Sequence, residues 1–170
     1  IGMAETAVGL GAGVFDEVRN RYQQAIYLTS TRHPVAQGEL LCEFKENHSH
    51  ATDHLLYLPK TAEQRQWVQQ AKTVVLIDDE ATTGNTFINL LSALREEGGL
   101  THIEQVIAVT LTDWSGDSIA ERSPLPIKTL SLVQGKWQWD ADPNAPLPVM
   151  PNVNITASGQ VAITGKQSWG

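Results

Sequence analysis

What the sequence has little of narrows the field first. It holds one cysteine, Cys42, so no disulfide can close within the chain, and a lone thiol lacks the paired spacing of a zinc site. A reducing cytoplasm is the expected home. No apolar run approaches the roughly 18 residues that a bilayer span needs, and nothing at the start resembles a cleavable signal, so no membrane span is expected. Basic side chains are outnumbered, 12 Lys and Arg against 19 Asp and Glu, for a net charge of -7. A chain this acidic is not built to grip nucleic acid over a broad surface, and an anionic ligand must be held by local backbone N–H groups or through a metal. Two phosphate-binding loops are also missing. Gly9, Gly11 and Gly13 have the wrong spacing for the Gly-x-Gly-x-x-Gly fingerprint of dinucleotide sites. Neither Gly135-Lys136 nor Gly165-Lys166 has the glycine five positions earlier that a P-loop requires.

What is present suits an ordinary globular domain: 170 residues, 41% apolar and 18% charged, enough for one core and a short appendage. The chain opens on Ile1-Gly2-Met3 with no evident initiator, and a strand is expected upstream in the full-length product. A glycine-rich turn should lead into a helix on which Val14, Val18 and Tyr22 recur. Ala25 to Thr29, Glu39 to Lys45 and Leu55 to Leu58 read as short strands, and the polar stretch from Glu46 to His54 reads as a mobile loop. Thr61 followed by Gln64 is a capping box that starts a helix with Trp67 and Val68 facing inward. Val74 to Ile77 is a continuous apolar run, the mark of a parallel strand covered on both faces. Phe87, Leu90, Leu91 and Leu94 then fall on one helical face before Gly98-Gly99, and Ile103 to Leu111 is the next strand. That succession is a βαβ unit, hence a parallel sheet with a right-handed crossover. Beyond Pro124 the pattern weakens. Trp137 and Trp139 alternate as in a strand with one buried face, Pro143, Pro146, Pro148 and Pro151 mark an extended segment or linker, and Val153/Ile155 with Val161/Ile163 outline a terminal hairpin.

The stretch from Val74 to Thr86 concentrates the chemistry. A buried strand delivers Asp78 and Asp79 to its C-terminal end, the edge where open α/β sheets bind ligands. Thr82-Thr83-Gly84-Asn85-Thr86 then turns into a helix, so turn amides, a helix N-terminus and threonine hydroxyls converge on one point, as a phosphate monoester requires. The carboxylates lie close enough to reach sugar hydroxyls or the water shell of a divalent cation. Together they describe a pocket for a ribose 5-phosphate. Other readings of an acidic strand end fit less well. A receiver domain has its acids near the domain's start and an aspartate about 45 residues on, where this chain has Ser123-Pro124, and a P-loop ATPase needs the loop already excluded. Two acids at a strand end can also be simple solvated caps, but that leaves the phosphate turn unexplained.

The same 13 residues resemble the signature of type I phosphoribosyltransferases, which bind phosphoribosyl diphosphate (PRPP). The resemblance implies that Asp78 and Asp79 face the ribose 2′- and 3′-hydroxyls and take part in holding Mg²⁺, and that Thr82, Thr83, Gly84, Asn85 and Thr86 cradle the 5′-phosphate. Glu80-Ala81 departs from the aliphatic pair usual after the acids. In this, and in Gly2 to Ala7 and Glu46 to Ala51, the chain is similar to a bacterial subgroup associated with tellurium-resistance operons. The implied fold is α/β, a central mostly parallel sheet flanked by helices with a small antiparallel hood and flexible loop. It would occupy residues 1–139, with 140–170 a proline-rich extension.

Further residues follow from that resemblance. Glu5, Thr6 and Ala7 belong to a small-residue turn where backbone amides can approach the diphosphate, although glycine-rich packing alone would account for the same stretch. Arg32 is placed to hold diphosphate oxygens bidentately. His48, His50 and His54 can donate to the leaving diphosphate or handle a proton; as an alternating pair His48 and His50 leave a metal site open, and a plain solvated loop explains all three equally. Asp113 and Trp114 fall at the ligand edge, where an aromatic can stack on a planar acceptor and a carboxylate can read a ring N–H, Trp114 as a rim or core residue being the alternative. The implied reaction is Mg²⁺-dependent displacement of diphosphate at ribose C1 by a ring or amino nitrogen. PRPP and an acceptor base are the implied partners, neither nucleic acid nor membrane is expected, and a homodimer is open. The competing function is a non-catalytic PRPP- or nucleotide-sensing domain of the same fold.

Overall fold

The computed structural model describes residues 1–45, 53–136, 138 and 140. The chain divides into two units, Ile1–Trp137 and Gln138–Gly170. In the second, Gln138 Nε2 donates to Asp140 Oδ1 at 3.2 Å; the proline-rich segment, the terminal hairpin and the strand expected at Trp137 and Trp139 lie outside the described residues.

The first unit is built on a parallel sheet. Strand β4 (Thr73–Ile77) pairs with β6 (Gln105–Asp113), and β7 (Ile127–Gln134) pairs with the other edge of β6. Two-residue β5 (Glu80–Ala81) pairs with β6 at Thr112 and Asp113. It continues the line of β4 in unchanged register, so Asp78 and Asp79 occupy the break between them. On the far side of β4, Gly2 bridges in parallel to both Ile77 and Thr29. A second, antiparallel sheet runs in the order β1 (Ser30–Thr31), β3 (His54–Tyr57), β2 (Leu40–Phe44) and forms the hood.

Helices α1 (Ala7–Arg19), α2 (Ala62–Gln69), α3 (Asn85–Glu96) and α4 (Ser118–Arg122) complete the unit. Thr61 caps α2 by accepting from the Gln64 N–H at 3.3 Å, and Val68 is the residue that this helix buries. Helix α3 buries Phe87, Leu90, Leu91 and Leu94 on one face, against the β4–β6 layer and hood strand β2. Its end is fixed where the Gly98 N–H donates to Ala93 O and Gly99 takes a positive φ of 65°, a conformation glycine enters without steric cost.

Three expectations are corrected. Helix α1 begins at Ala7, so Gly9, Gly11 and Gly13 lie within it and Tyr22 falls beyond its end, exposed. At Gly11 the cause is packing: a Cβ there would lie 2.4 Å from the Tyr27 hydroxyl, which donates to Val8 O at 2.7 Å while its ring stacks on Phe15. The same contact explains why Ala25 to Thr29 is not a strand, since Tyr27 ties the segment to α1 by its side chain and only Thr29 bridges to Gly2. Finally, β7 carries no readable alternation because its half-buried positions are Ile127, Thr129 and Ser131, while Leu130 and Leu132 point outward.

Candidate active site

The C-terminal ends of the parallel strands converge, and they bring most of the expected residues to one edge. The Asp78 N–H donates to Val109 O, and Asp79 O accepts from Leu111 and Thr112, so the backbone ladder with β6 runs through the acid pair and holds both carboxylates at the rim. Asp78 Oδ1 accepts from the Asp79 N–H at 3.0 Å. Asp79 Oδ1 accepts from the Thr6 hydroxyl at 2.8 Å, which ties the acid pair to the turn before α1. That turn, Ala4 to Thr6, follows Met3, whose N–H donates to Ile77 O; its Ala4–Glu5 peptide bond is cis.

The 82–86 turn stands beside the acids. Thr82 and Thr83 are exposed, Gly84 is the N-cap of α3 with φ 74°, and α3 has no acidic residue in its first turn. Its N-terminal dipole is therefore uncompensated from within the helix, the electrostatic condition for an anion site. Gly84 is required here on two counts, since its φ is positive and an added Cβ would lie 2.2 Å from Ile119 Cγ1.

The hood reaches the site through a buried polar relay that sequence reasoning did not find. Ser30 Oγ accepts from the Ala4 N–H at 2.8 Å and shares a hydrogen bond with His54 Nδ1 at 3.0 Å. His54 is 0% exposed and stacks on Phe44, so it belongs to β3 and not to the loop in which it was expected. A ring so enclosed cannot touch diphosphate; it holds Ser30, and Ser30 holds the first turn. Arg32 follows β1 by one residue and is half-buried. His48 and His50 lie outside the described residues.

At the end of β6 the Asp113 side chain is 5% exposed, and its Oδ1 accepts from both the Ser115 N–H at 2.9 Å and the Ser115 hydroxyl at 2.6 Å, so this oxygen shapes the 113–116 turn. Trp114 is half-buried. Its indole N–H donates to Glu80 Oε1 at 2.6 Å, its backbone N–H donates to Ala81 O, and its ring lies over Gly135, where a Cβ would come within 2.3 Å. Glu80, the residue that departs from the usual signature, thus anchors the aromatic beside the acid pair. Arg122 is the other residue missed: from α4 its guanidinium donates to Thr83 O and Asn85 Oδ1. No local pattern 37 residues downstream of Asn85 could have indicated that contact.

Among the described residues no group of three or more His, Cys, Asp or Glu gathers to hold a metal by itself, and no helix is long and apolar enough to cross a membrane. The family model described as phosphoribosyl transferase matches residues 1–136. No curated protein matches. Solved structures with a similar fold include the adenine phosphoribosyltransferase of Thermoanaerobacter pseudethanolicus, at 18% identity and a TM-score of 0.51, covering 79% of this chain and 68% of that one. The enzyme of the same name from Rhodothermus marinus is 17% identical, with a TM-score of 0.49 over 78% of this chain and 66% of that one. The chain thus spans about two thirds of the length of these structures. With the acid pair and the 82–86 turn at its sheet edge, and with four fifths of its length matched by one family model, this chain belongs to the phosphoribosyl transferase family and has the type I fold.

Proposed function

We propose that the chain transfers ribose 5-phosphate from PRPP to a nitrogen of a planar acceptor and releases diphosphate. The observation that carries this reading is the contiguity of β4, the acid pair, the phosphate turn and α3 at one sheet edge, joined to the first turn by the Thr6–Asp79 hydrogen bond. In the reaction the C1–O bond to diphosphate breaks, the C1–N bond forms, and the acceptor's N–H proton leaves to a base, for which His48 and His50 are the candidates. The chain's own contribution is positioning and charge: the turn fixes the 5′-phosphate, Asp78 and Asp79 fix the ribose and stabilise its developing positive charge, and Arg32 with the Glu5 to Ala7 backbone receives the diphosphate. Trp114, held edge-on by Glu80 and backed by Gly135, is the platform for the acceptor ring.

Two adjacent carboxylates without a third protein ligand suit Mg²⁺, which commonly binds through one or two carboxylates together with substrate phosphates. Asp78 and Asp79 would hold it, and it would supply neutralisation of the leaving group's charge. Glu80-Ala81 supports membership of the subgroup associated with tellurium-resistance operons, and a cytoplasmic, homodimeric enzyme is the form we expect.

Calorimetry with PRPP and Mg²⁺, followed by assay of diphosphate release across purine and pyrimidine acceptors beginning with adenine, tests the reading. Binding and release are expected. No binding at millimolar PRPP overturns it, and tight binding without release from any acceptor turns it into PRPP sensing.

A further inference from the structure

We propose that Arg122 is a positioning residue for the phosphate turn, orienting the Thr83–Gly84 peptide so that its N–H faces a phosphate monoester and adding the positive charge that an acidic chain lacks there. The inference rests on the reading of residues 82–86 as the 5′-phosphate site. Helix α4 lies against that turn and grips it at three points. The Arg122 guanidinium donates from Nη2 to Thr83 O and from Nη1 to Asn85 Oδ1. Ser118 Oγ accepts from Arg122 Nε at 3.0 Å and donates to Thr83 O at 3.3 Å. Ile119, 1% exposed, fills the space behind Gly84.

The consequence follows from peptide geometry. In the trans peptide between Thr83 and Gly84, carbonyl and N–H point in opposite directions. With the carbonyl drawn toward α4 by two donors, the Gly84 N–H is directed away from α4. A planar fork that bonds Thr83 O and Asn85 Oδ1 together fixes the turn's two limbs in one rigid geometry, which an ammonium on a flexible stem does not impose. Electrostatics point the same way. Among the described residues the acceptors of Arg122 are neutral oxygens, so its charge stands beside the positive end of the α3 dipole with no acid in that first turn. A cation at a helix N-terminus is unfavourable, and a dianion bound at that N-terminus relieves it.

The experiment measures binding of ribose 5-phosphate, and separately of diphosphate with Mg²⁺, to the whole chain and to Arg122→Ala and Arg122→Lys. Ribose 5-phosphate should bind Arg122→Ala about tenfold to a hundredfold more weakly, the range for losing hydrogen bonds from a charged group. Diphosphate affinity should be unchanged, and Arg122→Lys, which keeps the charge and loses the fork, should recover part of the loss. Equal ribose 5-phosphate affinity in Arg122→Ala and the natural chain overturns the proposal and leaves the site reading standing. Parallel loss of both ligands overturns it in favour of a general loosening, and no recovery in Arg122→Lys overturns the charge contribution. If the natural chain binds no ribose 5-phosphate, the reading of the turn fails and this inference with it.

Discussion

Thr6 and Asp79 stand 73 positions apart in the chain and one hydrogen bond apart in the fold, so the acid pair is positioned by side chains as well as by its strand. Asp78→Asn and Asp79→Asn each keep a side-chain oxygen that can accept the hydrogen bond now made, from the Asp79 N–H and from Thr6 respectively. The fold should therefore survive while the charge is lost. Each variant is expected to cost about 1.5–3 kcal/mol in PRPP binding or turnover, tenfold to a hundredfold, with the thermal transition close to that of the natural chain. Unchanged turnover in both would remove the pair from the site. Cys42 makes a different residue-scale prediction. Burial, reinforced by the Glu97 carboxylate, pushes its thiol up to about 12 from 9.0, so at neutral pH it stays protonated and enclosed. A thiolate-selective alkylating reagent should leave the native protein unmodified and label it in denaturant. Because the unfolded thiol ionises near 9.0 and the folded one near 12, the unfolded chain binds fewer protons between those values, and this group's contribution to stability is lost as pH rises through that window.

At the scale of elements, periodicity was informative where the buried face is apolar and misleading where it is not. Helix α3 was readable because Phe87, Leu90, Leu91 and Leu94 all face the core; β7 was not, because its half-buried positions hold Thr129 and Ser131 while its leucines face out. Stability should follow the observed faces. Leu90 is 0% exposed, and Leu90→Ala is expected to cost about 2–5 kcal/mol through lost transfer energy and a residual cavity. Leu132 is 81% exposed, and Leu132→Ala should stay within about 0.5 kcal/mol although it removes the same atoms. Denaturant unfolding of the two variants checks the contrast, and equal costs would mean that the β7 face is covered. Helix α1 shows the other limit of local reading: a glycine inside a helix looks like a turn until the ring packed against it is seen, and Tyr27 is that ring.

For the molecule as a whole, charge is the controlling quantity. With 19 acidic against 12 basic side chains, a polyanion such as PRPP meets an unfavourable field except where local donors gather. The acid pair adds two negative charges beside the phosphate turn. On the proposed reading Arg122 and the α3 N-terminus serve the 5′-phosphate, which leaves the diphosphate to Arg32, the first turn and the cation. Removing Mg²⁺ with a chelator should therefore weaken PRPP binding at least about tenfold, while ribose 5-phosphate, which carries no diphosphate, should lose little. Titration calorimetry with and without chelator tests this, and equal PRPP affinity in the two conditions would assign the diphosphate to protein donors alone.

What the sequence determined by itself is what sits in consecutive residues: the apolar run of β4, the acid pair at its end, the turn from Thr82 to Thr86 and the amphipathic face of α3. Strand, acids, turn and helix succeed one another within 23 positions, from Val74 to Glu96, so their order in space follows from chain connectivity alone. Which distant side chains complete the site was decided only by tertiary structure. Ala4 with Ser30, Glu80 with Trp114, Thr83 with Arg122 and Thr6 with Asp79 are 26, 34, 39 and 73 positions apart. Hydrogen-bond partners are chosen by proximity, and proximity here depends on how the hood, the first turn and α4 are brought to the ends of the parallel strands, which no local pattern of residue types encodes.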